Sequence, residues 1–117
     1  MKTFISNAFS FNMISEALTK TPFDILVTPV TPEQAALDIQ AAEYQNSLVI
    51  SIGNKATVNL LNTMCGTNIE RAKAEIVLNA GDSMIVFQYN GPRLSDDMVT
   101  IPDGGTAHMY TIEVVPA

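Results

Sequence analysis

Two stretches of this chain carry residues that could do chemistry, one of them with the pattern of an anion site. The first runs from Ser51 to Gly66 and reads Ser-Ile-Gly-Asn-Lys-Ala-Thr-Val-Asn-Leu-Leu-Asn-Thr-Met-Cys-Gly. A buried strand over 48–52 enters a glycine turn at Gly53, and a helix opens at Asn54. Such a joint aims the free backbone N–H groups of the helix's first turn at whatever lies above the strand end, a common way of holding phosphate. The same pattern also describes a capped helix that packs on a sheet and binds nothing. The second stretch is Asn7-Ala8-Phe9-Ser10-Phe11-Asn12-Met13. Phe9, Phe11 and Met13 can anchor it while Asn7, Ser10 and Asn12 supply donors and acceptors. Those three can equally do no more than satisfy their own turn.

Acid–base chemistry has one obvious candidate, His108, whose unperturbed pKa lies near neutrality. It shares strand parity with Tyr110, Ile112 and Val114, and no motif pairs it with a carboxylate or nucleophile. Asp96 and Asp97 are adjacent and point apart in an extended loop, so a glycosidase-like carboxylate pair is not indicated. The chain has no phosphate-loop signature, nucleophile elbow or His-pair metal motif. One Cys and one His do not make a zinc site of the usual kind. The lone Cys65 cannot form an internal disulfide, and it reads as a small buried hydrophobe.

The composition narrows the function classes. A chain of 117 residues, 47% of them apolar, is one domain that can bury a core without staples. No apolar run approaches the ~20 residues of a membrane span, and the first residues turn polar too early for a signal peptide. An intracellular soluble domain is expected. The net charge is −6, with six basic residues, Lys2, Lys20, Lys55, Arg71, Lys73 and Arg93. That balance argues against DNA or general nucleic-acid binding, which needs a basic face. A small anionic ligand held by backbone amides and two or three placed cations remains open.

The elements that must position these residues follow from periodicity and punctuation. Strands are expected over 3–7, inside the sheet, and over 23–28, ended by Pro29. Thr31-Pro32-Glu33-Gln34 carries a cap, a first-turn proline and a capping box. That helix runs to about Tyr44, with Ala36, Leu37, Ile39 and Ala41 facing a sheet. The run over 48–52 is nearly all apolar and reads as a central strand covered on both faces. The second helix presents Val58, Leu61 and Cys65, flanked by Leu60 and Met64, and closes at Gly66. Residues 73–78 and 84–89 read as a hairpin joined by Asn79-Ala80-Gly81-Asp82. Arg93 to Asp97 is a polar loop, Asp103-Gly104-Gly105 a turn, and 108–115 a last strand. The fold class is α/β (α+β), one domain spanning 1–117 with a mixed sheet flanked by helices.

Asn7 to Met13, then Ile52-Gly53-Asn54-Lys55-Ala56-Thr57, then Leu61-Asn62-Thr63-Met64-Cys65-Gly66, and finally Arg93-Leu94 occur in that order. Together they resemble the viral ring-nuclease family, small anti-CRISPR proteins that destroy cyclic tetra-adenylate and so counter type III systems. The resemblance covers Phe4 to about Asp96. It implies a homodimer with the cyclic RNA across the dimer cleft, and leaves assembly into a higher oligomer open. It also implies metal-free and cofactor-free cleavage by a ribose 2′-hydroxyl, and a place in the host cytoplasm. Carried over residue by residue, Asn7, Ser10, Asn12 and Thr57 match ligand contacts, and Gly53 matches the glycine of the second motif. Arg93 matches the arginine that stabilises charge at the scissile phosphate. Lys73 stands for a family arginine and keeps its charge but not its fork of donors. Asp96 aligns approximately with a family glutamate.

Asn54 is the decisive departure, because it occupies the position of the family's general-acid histidine. An amide has no proton to give at neutral pH, and general acid catalysis is worth about 10²–10⁴-fold. Asn is nevertheless among the best helix caps and can bond a phosphate oxygen. The expectation is therefore an anti-defence protein that sequesters a cyclic nucleotide messenger. The alternative is a slow metal-independent phosphodiesterase.

Overall fold

The computed structural model describes residues 1–98 and 100–117. Its elements are β1 (Thr3–Ser6), two 3₁₀ turns (Phe11–Met13 and Leu18–Lys20), β2 (Phe23–Pro29), α1 (Pro32–Tyr44), β3 (Leu48–Ile52), α2 (Lys55–Cys65), β4 (Ala72–Lys73), β5 (Ser83–Asn90) and β6 (Thr106–Pro116). The strands form one six-stranded sheet in the order β2-β6-β5-β1-β3-β4. β1 runs parallel to both of its neighbours, β3 and β5, and the other pairings are antiparallel. A single α+β domain with a mixed sheet is thus the observed class.

Strand parity splits the core in two. Ile5, Ile52, Ile85, Phe87 and Met109 meet Ala35 and Ile39 of α1 and Val58, Leu60 and Leu61 of α2. Phe4, Met84, Val86, Ile112 and Val114 point the other way and are covered by Ile14, Ile76 and Leu78. Neighbouring residues of β1, Phe4 and Ile5, therefore anchor opposite faces, as the two-residue period of a strand requires.

α1 begins as its residues dictate. Thr31 Oγ1 accepts from the Gln34 N–H at 3.1 Å, and Pro32 occupies the first turn. The reciprocal half of the capping box is not made, because Gln34 Nε2 donates to Asp38 Oδ1 at 3.1 Å instead. The buried residues are Ala35, Ile39 and Ala42. Of the four expected to face the sheet, Ile39 does so, Ala36 is half-buried, and Leu37 and Ala41 are exposed. The buried stripe thus keeps Ile39 and takes Ala35 and Ala42, the residues flanking the expected ones, three or four positions either side of it.

α2 matches its expectation closely. Asn54 caps it and Gly66 closes it at φ 66°, in the left-handed region that glycine adopts without penalty. Ala56, Val58, Leu60 and Leu61 are its buried residues. Cys65 is only half-buried, not fully so, and its Sγ lies 3.9 Å from Met109 Sδ. Burial first, and the charge of Glu33 second, push the thiol up to about 11. A thiol in that range is almost wholly protonated near pH 8. Alkylation of the native protein by iodoacetamide is therefore expected to run about 100-fold slower than in denaturant, where an ordinary cysteine pKa returns. Mass spectrometry of timed aliquots would read this, and equal rates would refute it.

Two expectations are corrected. β3 is not central: it lies second from an edge, beside the two-residue β4, and only Ile52 of its residues is fully buried. Its apolar run still serves both cores, with Leu48 and Ile50 on one and Val49 on the other. The hairpin over 73–89 does not form. Residues 74–78 leave the sheet and bridge Ile14 through Leu78, whose N–H donates to the Met13 carbonyl at 2.7 Å. The turn itself exists, but Asp82 binds it to the start of β1. Its carboxylate accepts from the Lys2 N–H at 2.8 Å and from the Asn79 N–H at 2.9 Å. β5 is thereby delivered alongside β1, with Thr3 opposite Ser83.

Candidate anion-binding site

Because β1, β3 and β5 are parallel, their carboxyl ends share one edge of the sheet, where open α/β sheets commonly place ligands. Each of the three strands releases one of the segments singled out by sequence. β1 ends at Ser6 and yields Asn7 to Asn12. β3 ends at Ile52 and yields Gly53, Asn54 and α2. β5 ends at Asn90 and yields the loop that carries Arg93 and Asp96. β4 runs antiparallel to β3 and brings Ala72 opposite Ile52, so Lys73 arrives at the same end.

Asn54 Oδ1 accepts from the Thr57 N–H at 3.1 Å, and the Asn54 carbonyl accepts from Val58 N–H at 3.1 Å. The N–H groups of Asn54, Lys55 and Ala56 keep no protein partner among the described residues. Those three, and not the Thr57 amide, are the donors this helix start offers an anion. Thr57 retains its hydroxyl, and Asn54 retains its amide NH₂.

Gly53 has a different role, set by close approach. A Cβ built there would overlap Lys73 Cε and stand 2.8 Å from its Cγ. The stem of Lys73 therefore lies across the bare glycine, and its charge sits at the helix start. Gly53→Ala is expected to displace that side chain, weakening anion binding several-fold while melting temperature moves by no more than a few degrees. Parallel calorimetric titration and thermal melts check this. A large loss of stability would assign Gly53 to the fold instead.

The cations are unevenly spread. Lys55, Arg71, Lys73 and Arg93 are all exposed, and they make up four of the six basic residues in a chain of net charge −6. A cleft of about 280 Å³ is lined by Gly53, Arg71, Ala72 and Lys73. Arg71 also borders a neighbouring cleft of about 450 Å³ with Lys55, Asn59 and Glu70. The Arg93 loop forms a further hollow of about 420 Å³ with Leu94, Ser95 and Asp96. Asn59 Nδ2 donates to the Asp96 carbonyl at 2.9 Å and ties that loop to α2. Ser95 Oγ donates to Asp97 Oδ1 at 2.7 Å, and this bond above all holds the Asp97 carboxyl below the usual range.

The sequence-predicted residues thus fall into three groups. Gly53, Asn54, Thr57 and Lys73 are brought together. Arg93 and Asp96 join them through the bond to Asn59. Asn7, Ser10 and Asn12 are exposed beside them, but Ser10 Oγ donates to Asn12 Oδ1, so part of their bonding capacity is spent within the turn. Sequence reasoning passed over Lys55, Arg71 and Asn59. Arg71 precedes a two-residue strand too short to leave a periodic signal, and only the pairing of β4 with β3 carries it to the edge.

A hollow of about 300 Å³ lies elsewhere, between α1 and the sheet, with Asp38 and Glu113 in its lining. Its acids disfavour an anion. Among the described residues no three His, Cys, Asp or Glu side chains converge in a way that would hold a metal ion. No described helix is long and apolar enough to cross a membrane.

A mixed-sheet α+β domain with polar loops and cations gathered at the carboxyl ends of its parallel strands defines the class. Residues 3–104 match the STIV B116-like family model, and the chain belongs to that family of viral proteins. Its fold is similar to B116 of Sulfolobus turreted icosahedral virus, with TM-score 0.78 and 27% identity over 97% of this chain and 99% of that one. It is 33% identical over 60 residues to the uncharacterized protein ORF116 of Acidianus filamentous virus 1 (isolate United States/Yellowstone), 47% of this chain and 52% of the relative. The chain thus spans about half the length of that curated relative.

Proposed function

We propose that this protein binds and sequesters a cyclic nucleotide second messenger of host defence, acting in the host cytoplasm without a cofactor. The observation that carries the proposal is the gathering of four of six cations, in a chain of net charge −6, at a strand edge that also presents free helix amides. Concentrating scarce positive charge there makes sense for a compact polyanion and not for a duplex, whose recognition needs an extended basic face. Asn54 supports holding over cutting, because its carboxamide caps α2 and has no acidic proton to transfer.

The test is a thermal-shift screen with cyclic mono-, di- and oligonucleotides, followed by chromatography of ligand released on denaturation. A shift with unchanged ligand supports sequestration. Recovery of a 2′,3′-cyclic phosphate product instead supports a slow metal-independent ring nuclease. That alternative is favoured by one observation: Asn59 holds the Arg93 loop beside the helix that Asn54 caps, where a guanidinium can stabilise phosphate charge. No shift with any member removes both.

Sequestration across a cleft between two copies needs an interface, and β2 offers one. Val30 N–H donates to the Met109 carbonyl at 3.1 Å and Ala117 N–H to the Pro22 carbonyl at 3.1 Å. The antiparallel alternation therefore turns the backbone groups of Phe23, Ile25 and Val27 outward. Leu26 is 51% and Val27 56% exposed, and only Asp24 and the terminal Pro29 guard the edge, which leaves its middle open to pairing. Pairing of β2 with β2 of a second copy would continue the sheet through a two-fold axis. Val27→Pro removes an outward donor without touching the β6 ladder. It is expected to convert dimer to monomer in sedimentation velocity with little change in melting temperature. A persistent dimer would exclude this edge.

A further inference from the structure

The sheet face opposite the helices carries an aromatic pair that the cation site does not use. His108 and Tyr110 stack with ring centroids 6.4 Å apart and planes 27° from parallel. They stand two residues apart on β6, so their side chains share one face. Ser6, Val86 and Tyr110 form one row across β1, β5 and β6, and His108 lies opposite Gln88, two residues further toward the ligand edge. His108 and Gln88 are exposed, and Tyr110 is half-buried behind them.

The Asn7–Met13 loop leaves β1 directly after that row and crosses the same face. Its Phe9 and Met13 pack against the core cluster that Tyr110 also joins. Phe11 is 69% exposed and meets Phe9 edge-on at 6.0 Å. Exposed rings on two segments thus flank the end of the sheet where the phosphate-binding groups gather.

Phosphate recognition has no use for such rings, whereas a nucleobase does. Aromatic side chains stack on the π-face of any base, and a glutamine amide matches the donor and acceptor on an adenine edge. We infer that His108, backed by Tyr110, together with Phe11 forms a base-stacking surface for a purine of the bound nucleotide, with Gln88 available to its edge. This rests on the nucleotide-binding function proposed above.

The probe is cyclic tetra-adenylate with one adenine replaced by 2-aminopurine, whose emission is quenched on stacking. The chain has no tryptophan, so that emission is read directly. Binding to the unaltered protein is expected to quench it. His108→Ala should weaken affinity about tenfold and relieve most of the quenching, Phe11→Ala should do so in part, and His108→Phe should retain both. If the unaltered protein binds and His108→Ala matches it in affinity and quenching, the stacking surface is refuted while the phosphate site stands. If the unaltered protein does not bind this probe but shifts with another cyclic nucleotide of the panel, the purine subsite is refuted while the proposed function stands; if nothing in the panel binds, the proposed function itself falls.

Discussion

Replacing Asn54 by histidine is expected to raise cleavage of cyclic tetra-adenylate by roughly 10²–10⁴-fold, the usual worth of a positioned general acid. On the proposed function, the free amides of the α2 start, with Lys73 and Arg93, would stabilise charge on a bound phosphate. What Asn54 could not supply is a proton for a departing 5′ oxygen, and a histidine at the same cap would add one. The same replacement breaks the 3.1 Å bond from Thr57 N–H to Asn54 Oδ1, so the variant should lose about 1 kcal/mol of stability. Single-turnover assays with analysis of the 2′,3′-cyclic phosphate product, alongside a urea melt, separate the two effects. An unchanged rate in a folded variant would mean that the scissile bond does not lie over the start of α2.

Removing Arg71, Lys73 and Arg93 together, each to glutamine, carries the second large effect. The net charge falls from −6 to −9 (six basic residues less three). Each charge-assisted bond to phosphate is worth about tenfold in affinity, so the triple variant should bind roughly 10³-fold more weakly. All three side chains are exposed, and none belongs to either core cluster, so melting temperature in the absence of ligand should barely move. The salt dependence of the remaining affinity should flatten as well, because fewer ion contacts remain to be screened. Isothermal titration at two salt concentrations tests both statements. Retained affinity would place the ligand elsewhere, whereas a flattened slope with modest loss would show that backbone amides dominate.

These two variants probe different layers of the same site. Asn54 is legible in the sequence, because strand, glycine, asparagine and an apolar period of four follow one another within a dozen residues. Gly66 and the Thr31-Pro32 helix start are legible for the same reason: caps are local chemistry, satisfied within three or four residues. The Arg71 contribution is not. Its segment pairs through two residues only, Lys73 with Ser51 and Ala72 with Ile52, and local sequence has no means of announcing a partner some twenty residues away.

The 73–89 segment teaches the same point from the opposite side. Its alternation is real, since Ile76 and Leu78 are buried while Glu75 and Val77 are exposed. Its turn residues are those a hairpin would use. What replaces the hairpin is long-range: Leu78 bridges Ile14, and Asp82 accepts from the backbone of Lys2 at a separation of 80 residues. With β5 paired to β1, the Arg93 loop lies at the edge shared by β1 and β3.

Local patterning misread 74–78 as strand but was by itself enough to place α1, α2 and the strands β1, β2, β3, β5 and β6. It was also enough to show where α2 starts and stops, and that position 54 carries an uncharged amide. These depend on hydrogen bonds and side-chain volumes within a turn or two of the chain. Only the tertiary structure decided that β3 lies near an edge, that the parallel strands end together, and that Lys55, Arg71, Lys73 and Arg93 share that end. Such convergence is fixed by long-range pairing and by burial on two faces of one sheet, whose energies belong to the assembled core and to no single segment.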